Sequence, residues 1–413
     1  MESRLPVTQA DAVVIGAGAF GLSAGYQLAA HGAGRVVVLD RFAPGSQTSP
    51  RAAGLYKLIQ ADETRTRLAQ SSIEVIRGFS EATGIPLSFV QSGSVLAART
   101  AEHAALIDKE AEASAGWGVE LEKIDAKGLH GIAPYLTGRD IRSAYFVPGD
   151  IYIEEPRSLL DAYMAAIAQY GSLVIGEAPV TGILVKDGEI AGVSTPRGDI
   201  STPLVIDAAG AWARGVGALA GVEVPVAPVR HQLLITHPIA GMSPQEPIAR
   251  IVDASAYLRP ARGGLMMGGM ESDPMAIDPR LDPNFCMPDT PLDMRVLDDL
   301  TEALGPLVPA LGDSPIAEHR GGLFTMTPDA RFLAGPVPGV HGFWTATGCN
   351  GSGFSISAGI GRALAEWIVG GEPTIDLSSF DPGRFRTGLI DDDELTSAGL
   401  WQYANYYTPQ LAS

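Results

Sequence analysis

The apolar and polar positions of this chain fall into two patterns. Short unbroken apolar runs bounded by glycine or an acid read as buried strands. Stretches that return to an apolar residue every three or four positions read as helices. The first run, Ala12-Val-Val-Ile15, leads into Gly16-Ala17-Gly18-Ala19-Phe20-Gly21; residues 22–31 follow with helical spacing, and Val36-Val-Val-Leu39 is a second strand ending on Asp40. Residues 64–81, 101–116 and 155–170 read as helices, the last with Pro156 in its first turn, where proline is favoured. Residues 89–97 alternate like a strand, and 144–148 form a short one. From residue 174 the character changes. Stretches 180–185 and 190–193 flank the hairpin signal Asp187-Gly188, and Leu204-Val-Ile-Asp207 runs into Ala208-Ala209-Gly210. Residues 211–220 read as a helix ended by Gly221, and 226–236, 251–258 and 264–270 are β-rich. A helix over 292–304 comes next. A strand over 342–347 then reaches a second glycine-rich turn, 348–353, and a long helix over 354–369.

Strand, turn, helix, strand and terminal acid within about thirty residues make the dinucleotide-binding fingerprint. Gly16 permits the turn, Gly18 lets the backbone approach a pyrophosphate, and Gly21 brings the helix onto the strand. The helix start then offers unpaired N–H groups and partial positive charge to phosphates. Asp40 is placed to accept hydrogen bonds from a ribose diol. The polar loop over 41–54 comes after the second strand, beside whatever the first turn binds.

Composition adds limits. With 413 residues, two or three domains are expected, and 46% hydrophobic against 18% charged residues allow a sizeable core. The balance of 29 basic and 47 acidic residues, −18 net, repels nucleic acid and anionic membrane surfaces. No apolar stretch reaches the roughly 18 residues that span a bilayer. Residues 1–10 lack a signal peptide's basic and apolar segments, and Cys286 and Cys349 lie too far apart for a metal or redox motif. A cytoplasmic protein without a metal site is expected. The acidic run 391–394 introduces a tail carrying Trp401, Tyr403, Tyr406 and Tyr407, which either contacts a partner subunit or packs on its own domain.

With both turns in view, the chain resembles the FAD-dependent amine and amino-acid oxidoreductases grouped with D-amino-acid oxidase. It is most similar to sarcosine oxidase and the flavin domain of dimethylglycine and sarcosine dehydrogenases. The resemblance covers nearly everything from Asp11 to Phe385. Besides 12–41 it rests on Asp150-Ile-Tyr-Ile-Glu-Glu-Pro156, Asp207-Ala-Ala-Gly-Ala-Trp212, Val229-Arg-His-Gln232, Tyr257-Leu-Arg-Pro260, Thr327-Pro-Asp329, Gly335-Pro336 and Thr345-Ala-Thr-Gly348…Gly351-Ser-Gly353. It implies an α/β, two-domain fold: a Rossmann-like FAD-binding domain on a parallel sheet, and a substrate domain that covers the flavin with an antiparallel sheet. Residues 1–85, 150–225 and 322–390 would hold FAD, 86–149 and 226–321 would build the roof, and 391–413 form the tail. The cofactor residues implied are Gly16, Gly18, Ala19, Phe20, Gly21, Asp40, Arg41, Ser46, Thr48, Arg51, Ala52, Ala53, Gly54, Val180, Ala209, Gly210, Trp212, Gly348, Asn350, Gly351, Ser352 and Gly353. Placed at the flavin's pyrimidine edge, the second turn's backbone donors would favour the negative charge that develops as the ring takes up hydride.

Departures from the family narrow the expectation. Sarcosine oxidases tether FAD through a cysteine where this chain has Gly322, and the mammalian-type dehydrogenases through a histidine where it has Arg51, so FAD is expected to be bound non-covalently. Phe324 replaces the carboxylate-binding arginine of D-amino-acid and glycine oxidases, and Ser355 the carboxylate-binding lysine of sarcosine oxidase. Near the flavin remain Arg51, Tyr56, His231, Tyr257 and Arg259, of which His231, Tyr257, Arg259 and Arg51 are the catalytic candidates. Met266 stands where sarcosine oxidase has the lysine that aids reaction with oxygen, so a quinone or carrier protein is the expected acceptor. The expected reaction is oxidation of a C–N bond in a secondary or tertiary amine, such as an N-methylated amino acid, by hydride transfer and imine hydrolysis. A 2-hydroxy acid oxidised with His231 as base, or a flavin subunit relaying electrons in a hetero-oligomer, are the alternatives.

Overall fold

The computed structural model describes residues 4–385 and 391–408; the ends of the sequence-derived segments at 1–3, 386–390 and 409–413 lie outside them. A six-stranded sheet holds Leu333–Pro336, Phe343–Thr347, Val205–Asp207, Ala12–Ile15, Val36–Leu39 and Leu173–Ile175 in that order. All its pairs are parallel except the edge strand Leu333–Pro336. Both faces are covered, which is why its strands are unbroken apolar runs. On one face the helix Ala19–Ala30 lies between Pro156–Gln169 and Gly353–Gly370, and on the other the small sheet Gly182–Lys186, Glu189–Thr195, Gly198–Ser201 closes a second apolar layer. The Asp187-Gly188 hairpin forms as expected, with both residues at positive φ.

The second large sheet has eight strands, in the order Ile316–Met326, Ala227–Thr236, Gly264–Gly269, Ala256–Ala261, Ile248–Ile251, Ser94–Ala98, Ser143–Val147, Glu122–Ile124. It is antiparallel apart from one parallel pair, Ile248–Ile251 with Ser94–Ala98. Pattern reading departs from this sheet in several places, the short edge strand Glu122–Ile124 among them. The strand expected over 251–258 is a corner: Val252–Ala254 form a 3₁₀ turn, Ser255 takes φ 51°, and the Asp253 carboxylate is held by the Arg99 backbone N–H at 2.7 Å. The strand expected over 89–97 begins only at Ser94, because Gly93 at φ 71° breaks the run. Ile316–Met326, the longest strand, was not expected, since its Glu-His-Arg-Gly-Gly centre shows no apolar alternation.

Asp392–Ala404 form a helix that packs on its own chain. Its Tyr403 is fully buried among Val229, Met270 and Met326.

Candidate active site

The first turn is built by backbone. Gly16 has φ 108°, and a Cβ there would stand 2.9 Å from the Ala209 Cα and overlap the Ala208 carbonyl. Asp40 braces the turn by accepting from the Ala17 N–H at 2.7 Å and the Phe42 N–H at 2.8 Å. The Ser49 hydroxyl accepts from the Ala19 N–H at 2.9 Å, a contact the sequence reading missed. Burial pushes the Asp40 carboxyl up, opposed by those two backbone donors.

From this turn a continuous cavity of about 380 Å³ runs to the underside of the eight-stranded sheet. Its wall includes Gly16, Gly18, Ala19, Phe20, Asp40, Arg41, Ser46, Thr48, Arg51, Ala52, Ala53, Gly54, Val180, Ala209, Gly210, Trp212, Gly351, Ser352 and Gly353. Gly21 is packed against the Gly16 carbonyl instead, and Gly348 and Asn350 belong to the second turn but do not line the cavity; the Asn350 carboxamide oxygen accepts from the Thr327 N–H at 2.9 Å. Gly322, Phe324, Ser355 and Cys349 also reach the cavity. Cys349 is a free thiol whose backbone N–H donates to the Thr325 hydroxyl at 2.8 Å.

At the roof end stand His231, Leu233, Tyr257, Met270, Arg320 and Phe324. His231 lies flat on the Phe324 ring, with centroids 4.1 Å apart. Its Nδ1 is 2.8 Å from the Tyr403 hydroxyl and its Nε2 2.8 Å from the Tyr257 hydroxyl. Burial without a charged partner lowers its pKa to about 3, so the ring is neutral. Arg51 faces the cavity and donates to the Ser46 carbonyl at 2.6 Å. Arg259 does not reach the cavity. It is fully buried, donating to the carbonyls of Ala53 at 2.7 Å, Pro260 at 2.6 Å and Glu154 at 2.9 Å, with its guanidinium 4.7 Å from the Tyr152 ring centre. It braces the roof to the loop beneath. Met266 is packed with Leu233, Ile235, Ala261 and Ala53, and Tyr56 sits in the core against Phe354, both off the cavity wall.

Sequence reasoning missed Lys57, Arg320 and the placement of Tyr406. Lys57 is buried at the wall and pairs with no carboxylate within 4.0 Å among the described residues; burial lowers its pKa, and Tyr406, to which it hydrogen-bonds, offsets part of this. Arg320 sits two registers along the strand from Phe324, on the same face. The Tyr-Tyr pair at 406–407 gave an aromatic signal, but nothing local placed it at this cavity.

Three buried polar atoms on the wall have no partner among the described residues: Trp212 Nε1, Thr347 Oγ1 and Arg320 Nε. Buried donors without acceptors are costly, so these fit a polar ligand. Together with the glycine turn and the length of the cavity, they suit a dinucleotide laid from the helix start toward the roof. Among the described residues no group of three or more His, Cys, Asp or Glu side chains is poised to hold a metal, and no helix is long and apolar enough to cross a membrane.

Comparison with known proteins agrees with this architecture. A family model described as FAD dependent oxidoreductase matches residues 11–367. Sarcosine dehydrogenase, mitochondrial, of Mus musculus is 32% identical over 94% of this chain and 42% of that protein, and dimethylglycine dehydrogenase, mitochondrial, of Mus musculus is 31% identical over 91% of this chain and 44% of that protein. The chain thus spans less than half the length of these relatives. Among solved structures, L-proline dehydrogenase from P. horikoshii superposes with a TM-score of 0.83 at 27% identity, covering 92% of this chain and 98% of that one. A parallel dinucleotide sheet, a covering sheet and a shared cavity are accounted for together: the chain belongs to the FAD-dependent oxidoreductase family.

Proposed function

We propose that this chain oxidises a C–N bond of a secondary or tertiary amine, with an N-methylated amino acid as the favoured substrate class. Bound FAD supplies the hydride acceptor for this chemistry. The amine must be neutral, so that its lone pair assists departure of hydride, and water then hydrolyses the imine to an amine and a carbonyl compound. One observation carries the choice. Among the described residues His231 is the one imidazole on the cavity wall, and both its nitrogens are already engaged by tyrosines. A 2-hydroxy acid needs a base for its hydroxyl proton. An amine does not, and the roof offers apolar and hydrogen-bonding surface rather than a base.

In this reading 1–85, 150–225 and 322–390 hold the cofactor through the wall residues named above, without a covalent tether, because Gly322 and Arg51 stand at the family's two tether positions. Residues 86–149 and 226–321 form the roof. Met266 is packed away and Arg259 is tied to carbonyls, so a charge that aided reaction with oxygen would have to come from Arg51, Lys57 or Arg320 on the cavity wall; a quinone or carrier protein is the acceptor proposed here. A cytoplasmic setting fits the two free thiols. The test is anaerobic titration of the purified FAD-loaded chain with N-methyl amino acids, simple amines and 2-hydroxy acids. Bleaching by the amines alone supports the reading; bleaching by the hydroxy acids alone replaces it, and none by any substrate turns attention to an electron-relay subunit.

A further inference from the structure

The helix Asp392–Ala404 and residues 405–408 lie past residue 367, where the family match ends, yet they help to build the cavity. Tyr406 and Tyr407 line it, with the Tyr406 hydroxyl 2.9 Å from the Ser352 hydroxyl in the second glycine turn. Tyr403 stands behind the wall and reaches it through His231.

The hydrogen bonds along Tyr403, His231 and Tyr257 have a direction. A neutral imidazole has one N–H and one lone pair, so it accepts at one nitrogen and donates from the other. The Tyr403 hydroxyl is buried and has His231 Nδ1 as its one hydrogen-bond partner among the described residues, so its hydrogen, which would otherwise lack an acceptor, goes there. The ring hydrogen then sits on Nε2 and is donated to the Tyr257 oxygen. Tyr257's own hydrogen is left to the cavity that its side chain lines. The Tyr257 ring is fixed there because it lies across Gly268, where a Cβ would stand 2.6 Å from the Tyr257 Cζ. A donor at this place cannot serve the reacting nitrogen, whose lone pair must stay free. It suits an acceptor elsewhere on the substrate, and a carboxylate is the strongest. Arg320, with its unpartnered Nε–H, shares the cross-strand row Arg320, Leu233, Gly268, Tyr257.

We propose that Tyr403 is a positioning residue of the active site: by fixing the His231 tautomer it turns the Tyr257 hydroxyl into a donor for the substrate's carboxylate. This rests on reading the cavity as the substrate site, but not on which bond is oxidised, and its test reads binding rather than turnover. The FAD-loaded protein is titrated with isobutyrate and, separately, isopropylamine, which has a similar apolar body and no anion, while the visible spectrum of the bound flavin is followed. Tyr403→Phe should retain FAD and weaken isobutyrate by roughly ten-fold, leaving isopropylamine within two-fold. Tyr257→Phe should give the same loss, and the double variant no further loss, because both act through one hydrogen bond. Unchanged isobutyrate affinity in Tyr403→Phe, or losses that multiply in the double variant, would overturn the proposal. Should Tyr403→Phe not fold, ¹⁵N-histidine NMR of the unmodified protein decides: a neutral His231 protonated on Nε2 supports it, and the Nδ1–H tautomer or an imidazolium contradicts it.

Discussion

The two ends of the cavity are made differently. The end at Gly16–Gly21 is backbone, drawn from one stretch of about thirty residues, with Asp40 and Ser49 pinning its N–H groups. The roof end is side chains from separate strands and loops: Lys57, His231, Tyr257, Arg320 and Phe324, with Tyr403 added from the last helix and Tyr406 from just beyond its end. Backbone cradles need glycine and a register, which leave a local mark. A side-chain site needs only that distant strands meet, so it can change its chemistry without disturbing the fold.

That contrast can be broken most severely at Gly16. Gly16→Val forces a β-branched residue to φ 108° and into the Ala208 carbonyl, so FAD retention should be abolished; a variant that purifies yellow, with wild-type flavin content by absorbance, would refute the backbone account. Asp40→Ala comes next. It unpairs the Ala17 and Phe42 N–H groups as well as removing the proposed partner for the ribose, and should cost FAD at least ten-fold in affinity by fluorescence titration. Asp40→Asn, which keeps one acceptor oxygen, should recover part of that loss.

At the roof end the expected effects are smaller. His231 has a pKa of about 3 in the folded protein against 6.5 in an unfolded chain. Between those values the unfolded state binds a proton that the folded state refuses. Stability is therefore present above pH 6.5 and lost as pH falls toward 3, by up to about 1.4 kcal/mol per pH unit. Urea titrations of the wild type and His231→Gln should differ in slope by that amount between pH 6 and 4; parallel curves would show that His231 is not held neutral. Smallest is the effect of oxygen. Substrate-reduced protein mixed with air-saturated buffer should reoxidise more slowly than it turns over with a quinone, and Met266→Lys should do little, because Met266 is off the cavity wall. Rapid peroxide formation would direct attention to Lys57 and Arg320 on the cavity wall.

How much was legible in the sequence divides along the same line. Ala12–Ile15, Val36–Leu39, the helix over 101–116 and the Asp187-Gly188 hairpin could be read because their signals are local: apolar runs, helical spacing, a turn dipeptide. Most of the turn and loop residues named for the cofactor line the cavity for the same reason. Ile316–Met326 escaped because a strand with polar and glycine positions facing a cavity carries no alternation. Arg259 was named for a strand face it does share with Tyr257, but its length lets it reach three backbone carbonyls and leave the cavity. Lys57 carries no local signal in the sequence, and only the fold buries it.

The central claim, that the two ends form one site for cleaving a C–N bond, is tested most directly by a single anaerobic turnover. The FAD-loaded chain is mixed with an N-(¹³C-methyl) amino acid, and the labelled products are counted against flavin reduced. One labelled formaldehyde and one demethylated amino acid per reduced flavin is the predicted result. Reduced flavin with the N-methyl group still attached, or product without flavin reduction, would contradict it.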